Sequence, residues 1–121
     1  MEFNEHNAIY LQIADLICER VLSAEWKPGE RIPSVREMSI HLEVNPNTVM
    51  RTYQMLETMN IIQLKRGTGF FLSEEALNIV FKKQKDDFLE SRLPGVFKTM
   101  KLLRIQPQEL KELYEQYCKE P

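Results

Sequence analysis

The side chains whose types and spacing suggest a chemical role lie on one face of a predicted helix that begins at residue 46. At about 100° per residue, four side chains fall within a single sector of that helix: Asn47, Met50, Arg51 and Gln54. The sector is polar, carries one cation and starts at the amino-terminal end of the helix. Helices that read DNA place their first residues against base edges in the major groove. The alternative is the solvated face of an ordinary core helix, since helical hairpins are common.

Two predicted helix starts lie close together at this point in the chain. Ser34 and Glu37 have the spacing of a capping box, which predicts a helix over 35–42. Asn45 is an N-cap followed by a proline at the first helical position, where no N–H is needed, and this predicts a helix from 46 to about 59. Helix, short turn and helix in this order are typical of a helix-turn-helix. One face of each helix is apolar, namely Val35, Met38 and Leu42, then Val49, Tyr53 and Leu56.

A β-hairpin is predicted directly after the helix pair. Residues 61–65 alternate as a strand, residues 66–69 form a turn with glycines where positive φ is required, and residues 70–72 return. A hairpin in this place is a wing. Lys65 and Arg66 lie at its tip, where they suit backbone phosphates or a narrow minor groove. The alternative is a hairpin that only closes the core.

The remainder of the chain is predicted to be helical. Ser73 is expected to cap a helix with acids in its first turn, residues 93–95 interrupt or kink it, and Pro107 starts a last helix. Apolar stripes recur along these segments, and two or three helices of this size cannot bury them alone. Exposed apolar stripes usually mark a partner surface, so we expect a two-fold homodimer.

Composition limits the remaining possibilities. The net charge is −2, but the charge is unevenly distributed. Residues 26–72 hold four glutamates and six cations, which are Lys27, Arg31, Arg36, Arg51, Lys65 and Arg66. The modest excess predicts moderate affinity for DNA per monomer and a strong salt dependence. The chain has no long apolar run and no secretory signal, so we expect a cytoplasmic protein without a membrane segment.

Catalytic and metal sites are not indicated. Cys18 and Cys118 are far apart and outside any zinc-binding spacing, so both are expected to be free thiols. His6 and His41 have no neighbouring cysteine or acidic pair at ligand spacing, and no nucleophile–base arrangement is evident. We therefore expect neither an enzyme nor a cofactor or metal.

Several separate motifs, in the right order, resemble one known family. From Ile9 to Leu72 the chain resembles the winged helix-turn-helix domain of GntR-type bacterial transcription regulators, most of all the YtrA subgroup. The matching segments are residues 9–14, 27–37, 44–49 and 66–71. The departures from the family pattern are Glu43 and Asn60, which replace glycines, and Met50, which stands where arginine is frequent.

The resemblance implies a mainly α fold with a small β-hairpin: a DNA-binding domain over 1–72 and a short helical dimerisation region over 73–121. It places DNA contacts at Arg36, Asn45, Asn47, Thr48, Arg51, Arg66 and Gly67, to which the hairpin tip adds Lys65. The expected function is a homodimeric repressor that binds a two-fold-related operator. The alternative is a winged-helix module for protein–protein contact. The operator sequence, the regulated genes and any small-molecule effector are not specified by the sequence.

Overall fold

The computed structural model describes residue 3 and residues 7–121. The chain divides into two compact units, residues 1–83 and 84–121. Within the described residues the elements are, in chain order, α1 (Ile9–Leu22), α2 (Val35–Leu42), α3 (Pro46–Thr58), β1 (Ile62–Lys65), β2 (Gly69–Leu72), α4 (Ala76–Asp87), a π-helical turn (Phe88–Arg92), α5 (Leu93–Leu103) and α6 (Pro107–Lys119). The fold is mainly helical with one antiparallel hairpin, as the sequence predicts.

Both predicted caps of the helix-turn-helix are confirmed. The backbone N–H of Glu37 donates to Ser34 Oγ at 3.0 Å, and the N–H of Ser34 donates to the Glu37 carboxylate at 3.2 Å. The N–H of Asn47 donates to Asn45 Oδ1 at 2.8 Å. Between the helices, Glu43 adopts the left-handed conformation with φ 57°, which an L-residue other than glycine takes at a cost. Local hydrogen bonds therefore determine where α2 and α3 begin.

The core of the first unit forms where α1 and α2 pack against α3 and the hairpin. Tyr53 of α3 lies in its centre with no solvent exposure, and its ring meets Phe70 edge-on at a centroid distance of 5.0 Å. The small side chains Ser39 and Thr52 are buried in α2 and α3. The other fully buried large side chains include Ile13, Ile17, Ile32, Met38, Val49, Leu56, Ile61, Ile62 and Leu72.

The hairpin follows α3 with a register that pairs Ile62 with Leu72 and Lys65 with Gly69. Gly67 and Gly69 have φ of 75° and 120°, as the predicted turn requires. Arg31 pairs with Phe71 in an isolated antiparallel bridge. The segment before α2 is therefore attached to β2, and the wing and the helix-turn-helix form part of one unit.

The prediction that Ser73 caps α4 is wrong. Ser73 is buried, and its hydroxyl donates to the carbonyl of Asn60 at 2.7 Å, while its N–H donates to the carbonyl of Ile61 at 3.0 Å. The helix begins later, at Ala76. The hairpin returns the chain to the end of α3, where Asn60 has φ 63° and its carbonyl accepts the Ser73 hydroxyl. Ser73 thus closes the base of the hairpin.

The second unit contains the π-helical turn, α5 and α6. The predicted interruption at 93–95 lies slightly earlier, in the π-helical turn Phe88–Arg92. Pro94 has no N–H and its ring would clash with the carbonyl four residues before it, and a wider turn accommodates both effects. The predicted start at Pro107 is confirmed, with a capping box in which the Gln106 N–H donates to Glu109 at 2.7 Å.

Candidate nucleic-acid interface

Helix α3 has one buried face and one exposed face. Val49, Thr52, Tyr53 and Leu56 are at most 1% exposed. The residues of the opposite face are all exposed: Asn47, Met50, Arg51 and Gln54. The core thus holds the helix by its apolar side and leaves the predicted recognition face in solvent.

The beginning of α3 is constrained by its own cap. Asn45 uses its side-chain oxygen to accept the N–H of Asn47, so its amide N–H groups are the donors left for another partner. The Asn47 side chain is exposed, whereas Thr48 is partly buried and its N–H donates to the Asn45 carbonyl at 3.0 Å. Asn45 and Asn47 are therefore better placed than Thr48 to meet a ligand through their side chains.

Arg51 lies against an aromatic ring from another helix. Its guanidinium carbon is 3.8 Å from the ring centroid of Tyr10, in the first turn of α1. The Thr52 hydroxyl donates to the backbone carbonyl of Tyr10 at 2.8 Å, which fixes α1 against α3 at the same level. Sequence reasoning did not identify Tyr10, because 41 positions separate it from Arg51 and no local pattern connects them.

The hairpin tip carries Lys65, Arg66 and Gly67, all exposed. Lys65 Nζ lies 4.4 Å from the ring centroid of Phe71 on the neighbouring strand. Arg66 follows directly in the turn, and its carbonyl accepts the Thr68 hydroxyl at 3.3 Å. The two cations at the tip are therefore available to a polyanion.

Arg31 connects the wing to the start of α2, a role that the sequence did not reveal. Its Nε donates to the carbonyl of Thr68 at 3.0 Å, and its guanidinium lies 3.6 Å from the Glu37 carboxylate. A Cβ added at Gly69 would lie 2.9 Å from Arg31 Nε, so the glycine permits this close approach. Arg36, the remaining predicted contact, is exposed on α2, directly before Glu37.

The Glu37 carboxylate lies beside one of these cations, Arg31. Hydrogen bonds from the backbone and the hydroxyl of Ser34 hold the pKa of Glu37 below its usual value, and the charge of Arg31 acts in the same direction. Glu37 therefore remains ionised and its charge is balanced locally. In the described part of the chain, no cluster of three His, Cys, Asp or Glu side chains is placed to hold a metal ion. Cys18 is buried and Cys118 is exposed, and neither forms a disulfide within the described residues. His41 is exposed, and His6 lies outside the described residues.

None of the helices within the described residues has the length and apolar character needed to cross a membrane.

Comparison with known proteins agrees with this geometry. Residues 9–72 match the family model described as bacterial regulatory proteins, gntR family. The HTH-type transcriptional regulator YhcF of Bacillus subtilis is 41% identical over 92% of this chain and 90% of its own length. The HTH-type transcriptional repressor YtrA of the same organism is 35% identical over 88% of this chain and 79% of its own length.

A solved structure extends the similarity to three dimensions. The crystal structure of a putative GntR-family regulator from Bacteroides thetaiotaomicron has a TM-score of 0.76 and 38% identity, covering 93% of this chain and 97% of that one. The matched region includes the helix pair and the hairpin described above. The chain therefore belongs to the GntR family of bacterial regulatory proteins and is a DNA-binding transcription regulator with a winged helix-turn-helix fold.

Proposed function

We propose that the protein is a repressor that binds a two-fold-related operator as a homodimer. The observation that carries the proposal is the division of α3 into a fully buried apolar face and an exposed face with Asn47 and Arg51 near its start. The proposed DNA-contacting residues are Arg36, Asn45, Asn47, Thr48, Arg51, Lys65, Arg66 and Gly67.

These residues divide by the kind of contact their chemistry suits. Asparagine pairs with adenine and arginine with guanine through two hydrogen bonds each, so Asn47 and Arg51 are proposed to read base edges. Arg66 and Lys65 at the wing tip suit phosphates or a narrow minor groove. Arg36, Asn45 and Thr48 are proposed to orient α3 on the backbone, and Gly67 lets the wing turn approach closely. Base readout then depends on α3, and the wing supplies affinity.

The homodimer is supported by the second unit. Among residues 84–121 only Met100 is buried. Large apolar side chains are exposed there, including Phe88, Phe97, Leu102, Leu103, Leu113 and Tyr117. A segment of this size cannot bury enough surface alone, and a second copy related by a two-fold axis would cover both sets of side chains. We therefore propose that residues 1–72 bind DNA and that residues 73–121 form the dimer.

A two-fold dimer would place its recognition helices against half-sites about 34–36 Å apart, or a multiple of that distance. Occupation of such an operator near a promoter would block transcription, and the relative YtrA is described as a repressor. Action on DNA in this way also implies a cytoplasmic protein.

Selection from a random duplex library, followed by footprinting, tests the proposal. We expect an inverted repeat protected on one face of the duplex, with affinity that falls steeply as salt increases. Equal, weak binding to every duplex with a shallow salt dependence would overturn it and favour a protein–protein interaction module.

Three alanine variants locate the interface. Asn47→Ala should relax base preference at one position of each half-site, whereas Arg66→Ala should weaken binding to all duplexes and reduce the salt slope by about one. Arg51→Ala should reduce operator affinity and lower the free energy of unfolding by no more than about 0.5–1 kcal/mol, because it also removes the contact with the Tyr10 ring. Lys111→Ala is the matched control, because it removes one positive charge from α6, which is outside the proposed DNA contacts. Unchanged affinity in the three interface variants would contradict the assignment.

A further inference from the structure

The ring of Tyr10 and the guanidinium of Arg51 form a stacked pair on the surface of the first unit, 3.8 Å apart. We propose that Tyr10 is a positioning residue for DNA recognition, which holds Arg51 in its DNA-contacting orientation before DNA binds. This inference rests on the proposed function, because it assigns Arg51 to the interface. Tyr10 lies in the segment 9–14 that matches the family, but it is not among the residues proposed to contact DNA.

A buried hydrogen bond fixes the backbone of Tyr10 to α3. Thr52, directly after Arg51 in α3, has no solvent exposure, and its hydroxyl donates to the Tyr10 carbonyl at 2.8 Å. The same hydroxyl lies 3.3 Å from the carbonyl of Thr48 one turn earlier. The backbone of Tyr10 is therefore fixed to the segment of α3 that carries Arg51. Movement of the Tyr10 backbone relative to α3 would require this buried hydrogen bond to break, so the ring can leave Arg51 only by rotation of its own side chain.

The stacked pair also lies beside the start of the recognition face. Tyr10, Asn47 and Arg51 line the same surface depression of about 400 Å³ between the beginnings of α1 and α3. Asn47 precedes Arg51 by four residues, so the two side chains are neighbours on the helix surface. A ring that restrains the guanidinium therefore also narrows the range of distances between it and the Asn47 amide, and these distances have to match the bases that are read.

Stacking suits this task better than an ion pair. A carboxylate partner would occupy N–H donors of the guanidinium and neutralise its charge. The face of an aromatic ring attracts the cation without using the N–H groups, which lie in the guanidinium plane and keep their hydrogen-bonding capacity. A free arginine would also have to lose its side-chain conformational freedom on binding, and a restrained one has already lost part of it. Tyr10 thus restrains Arg51 without occupying the guanidinium N–H groups that would donate to a base.

A double-mutant cycle on the full chain tests the inference with the selected operator as probe. Tyr10→Leu keeps apolar bulk but removes the ring, and it should weaken operator binding by about two- to fivefold, the range expected for an exposed cation–π pair. Tyr10→Phe keeps the ring and should bind the operator with wild-type affinity. In an Arg51→Ala background, Tyr10→Leu should have no further effect. The salt slope should be unchanged in Tyr10→Leu and reduced in Arg51→Ala, because only the second removes a charge.

Each result separates this inference from the proposed function. If Arg51→Ala weakens binding but Tyr10→Leu does not, the positioning role fails and the interface stands. If Tyr10→Leu weakens binding equally in both backgrounds, or if Tyr10→Phe loses as much as Tyr10→Leu, the role also fails. If Arg51→Ala has no effect, the Arg51 contact itself is wrong and this inference fails with it, while the Asn47 and Arg66 variants test the rest of the interface.

A measurement on the free wild-type protein covers the case in which Tyr10→Leu does not fold. The ring current of a stacked tyrosine moves the NMR signals of the Arg51 side-chain protons upfield. We expect this shift in the wild type and in Tyr10→Phe. Its absence from the free wild-type protein would show that Arg51 is not held before DNA binds and would overturn the inference.

Discussion

The hydroxyl of Tyr53 donates a hydrogen bond of 2.6 Å to the carbonyl of Pro33. Tyr53 projects from the buried face of α3, and Pro33 directly precedes the Ser34 cap of α2. The edge-on contact of the same ring with Phe70 reaches β2 of the hairpin. A single buried side chain therefore connects the recognition helix to the start of α2 and to the wing, which are the three places where DNA contacts are proposed.

Removal of this hydroxyl is expected to destabilise the first unit. Tyr53→Phe keeps the ring but deprives the Pro33 carbonyl of its donor, which should lower the free energy of unfolding by roughly 1–3 kcal/mol. Tyr117→Phe is the matched control, because its hydroxyl is on an exposed residue and its loss should change stability by less than about 0.5 kcal/mol. Urea denaturation of both variants checks this, and equal effects would contradict the role of the hydrogen bond.

Ionisation of the Tyr53 hydroxyl is expected to make the stability of the first unit depend on pH. Burial raises the pKa of Tyr53 well above its usual value, and the nearby charge of Glu37 adds to the effect. A raised pKa means that the folded state keeps its proton when the unfolded state has lost it. The stabilising contribution is therefore complete below about pH 10 and falls as the pH rises above it, by at most about 1.4 kcal/mol per pH unit. The stability difference between wild type and Tyr53→Phe should shrink above pH 10. Parallel curves would be inconsistent with this.

Asn45 is expected to act both as a cap and as a DNA contact, and two substitutions separate the roles. Asn45→Ala removes the acceptor for the Asn47 N–H and should cost about 1 kcal/mol of stability. Asn45→Ser retains a capping oxygen and should keep nearly all of the stability, but it loses the amide donors and should bind the operator more weakly. Thermal unfolding and operator titration measure the two effects. If Asn45→Ser binds like wild type, Asn45 is only a cap.

Glu43 is a position where substitution should stabilise the protein. Its left-handed conformation in the turn between α2 and α3 disfavours a side chain, so Glu43→Gly should raise the free energy of unfolding by about 1 kcal/mol. Glu43→Ala controls for the loss of charge and should show no such gain, because alanine keeps the Cβ. Equal stabilities of the two variants in urea would show that the turn relaxes around a side chain.

The proposed dimer depends on apolar side chains in the second unit. Leu113 of α6 is 62% exposed, and Leu113→Asp would put a charge into the proposed interface. We expect sedimentation equilibrium to show a shift from dimer to monomer and operator affinity to fall with it. Gln108→Asp introduces the same charge on the opposite side of α6 and should remain dimeric. A wild-type protein that stays monomeric at high concentration would exclude the dimer altogether.

The sequence by itself determined the features that depend on neighbours in the chain. The Ser34–Glu37 box, the Asn45 cap, the glycine turn of the wing and the buried face of α3 all rest on residues within a few positions of one another. Capping, turn conformation and helical periodicity are local physical effects, so they can be read before any fold is known. They were sufficient to predict the winged helix and the exposed polar face of α3.

The tertiary structure decided the contacts between distant residues. Ser73 donates to a carbonyl 13 positions earlier instead of capping α4, and Arg31 reaches a carbonyl 37 positions later to connect the wing to α2. Tyr10 lies against Arg51 because α1 packs on α3, where a buried hydroxyl 42 positions away from Tyr10 donates to its carbonyl. A side chain with several possible partners bonds to the one that folding brings closest. That distance cannot be inferred from the spacing of the residues in the sequence.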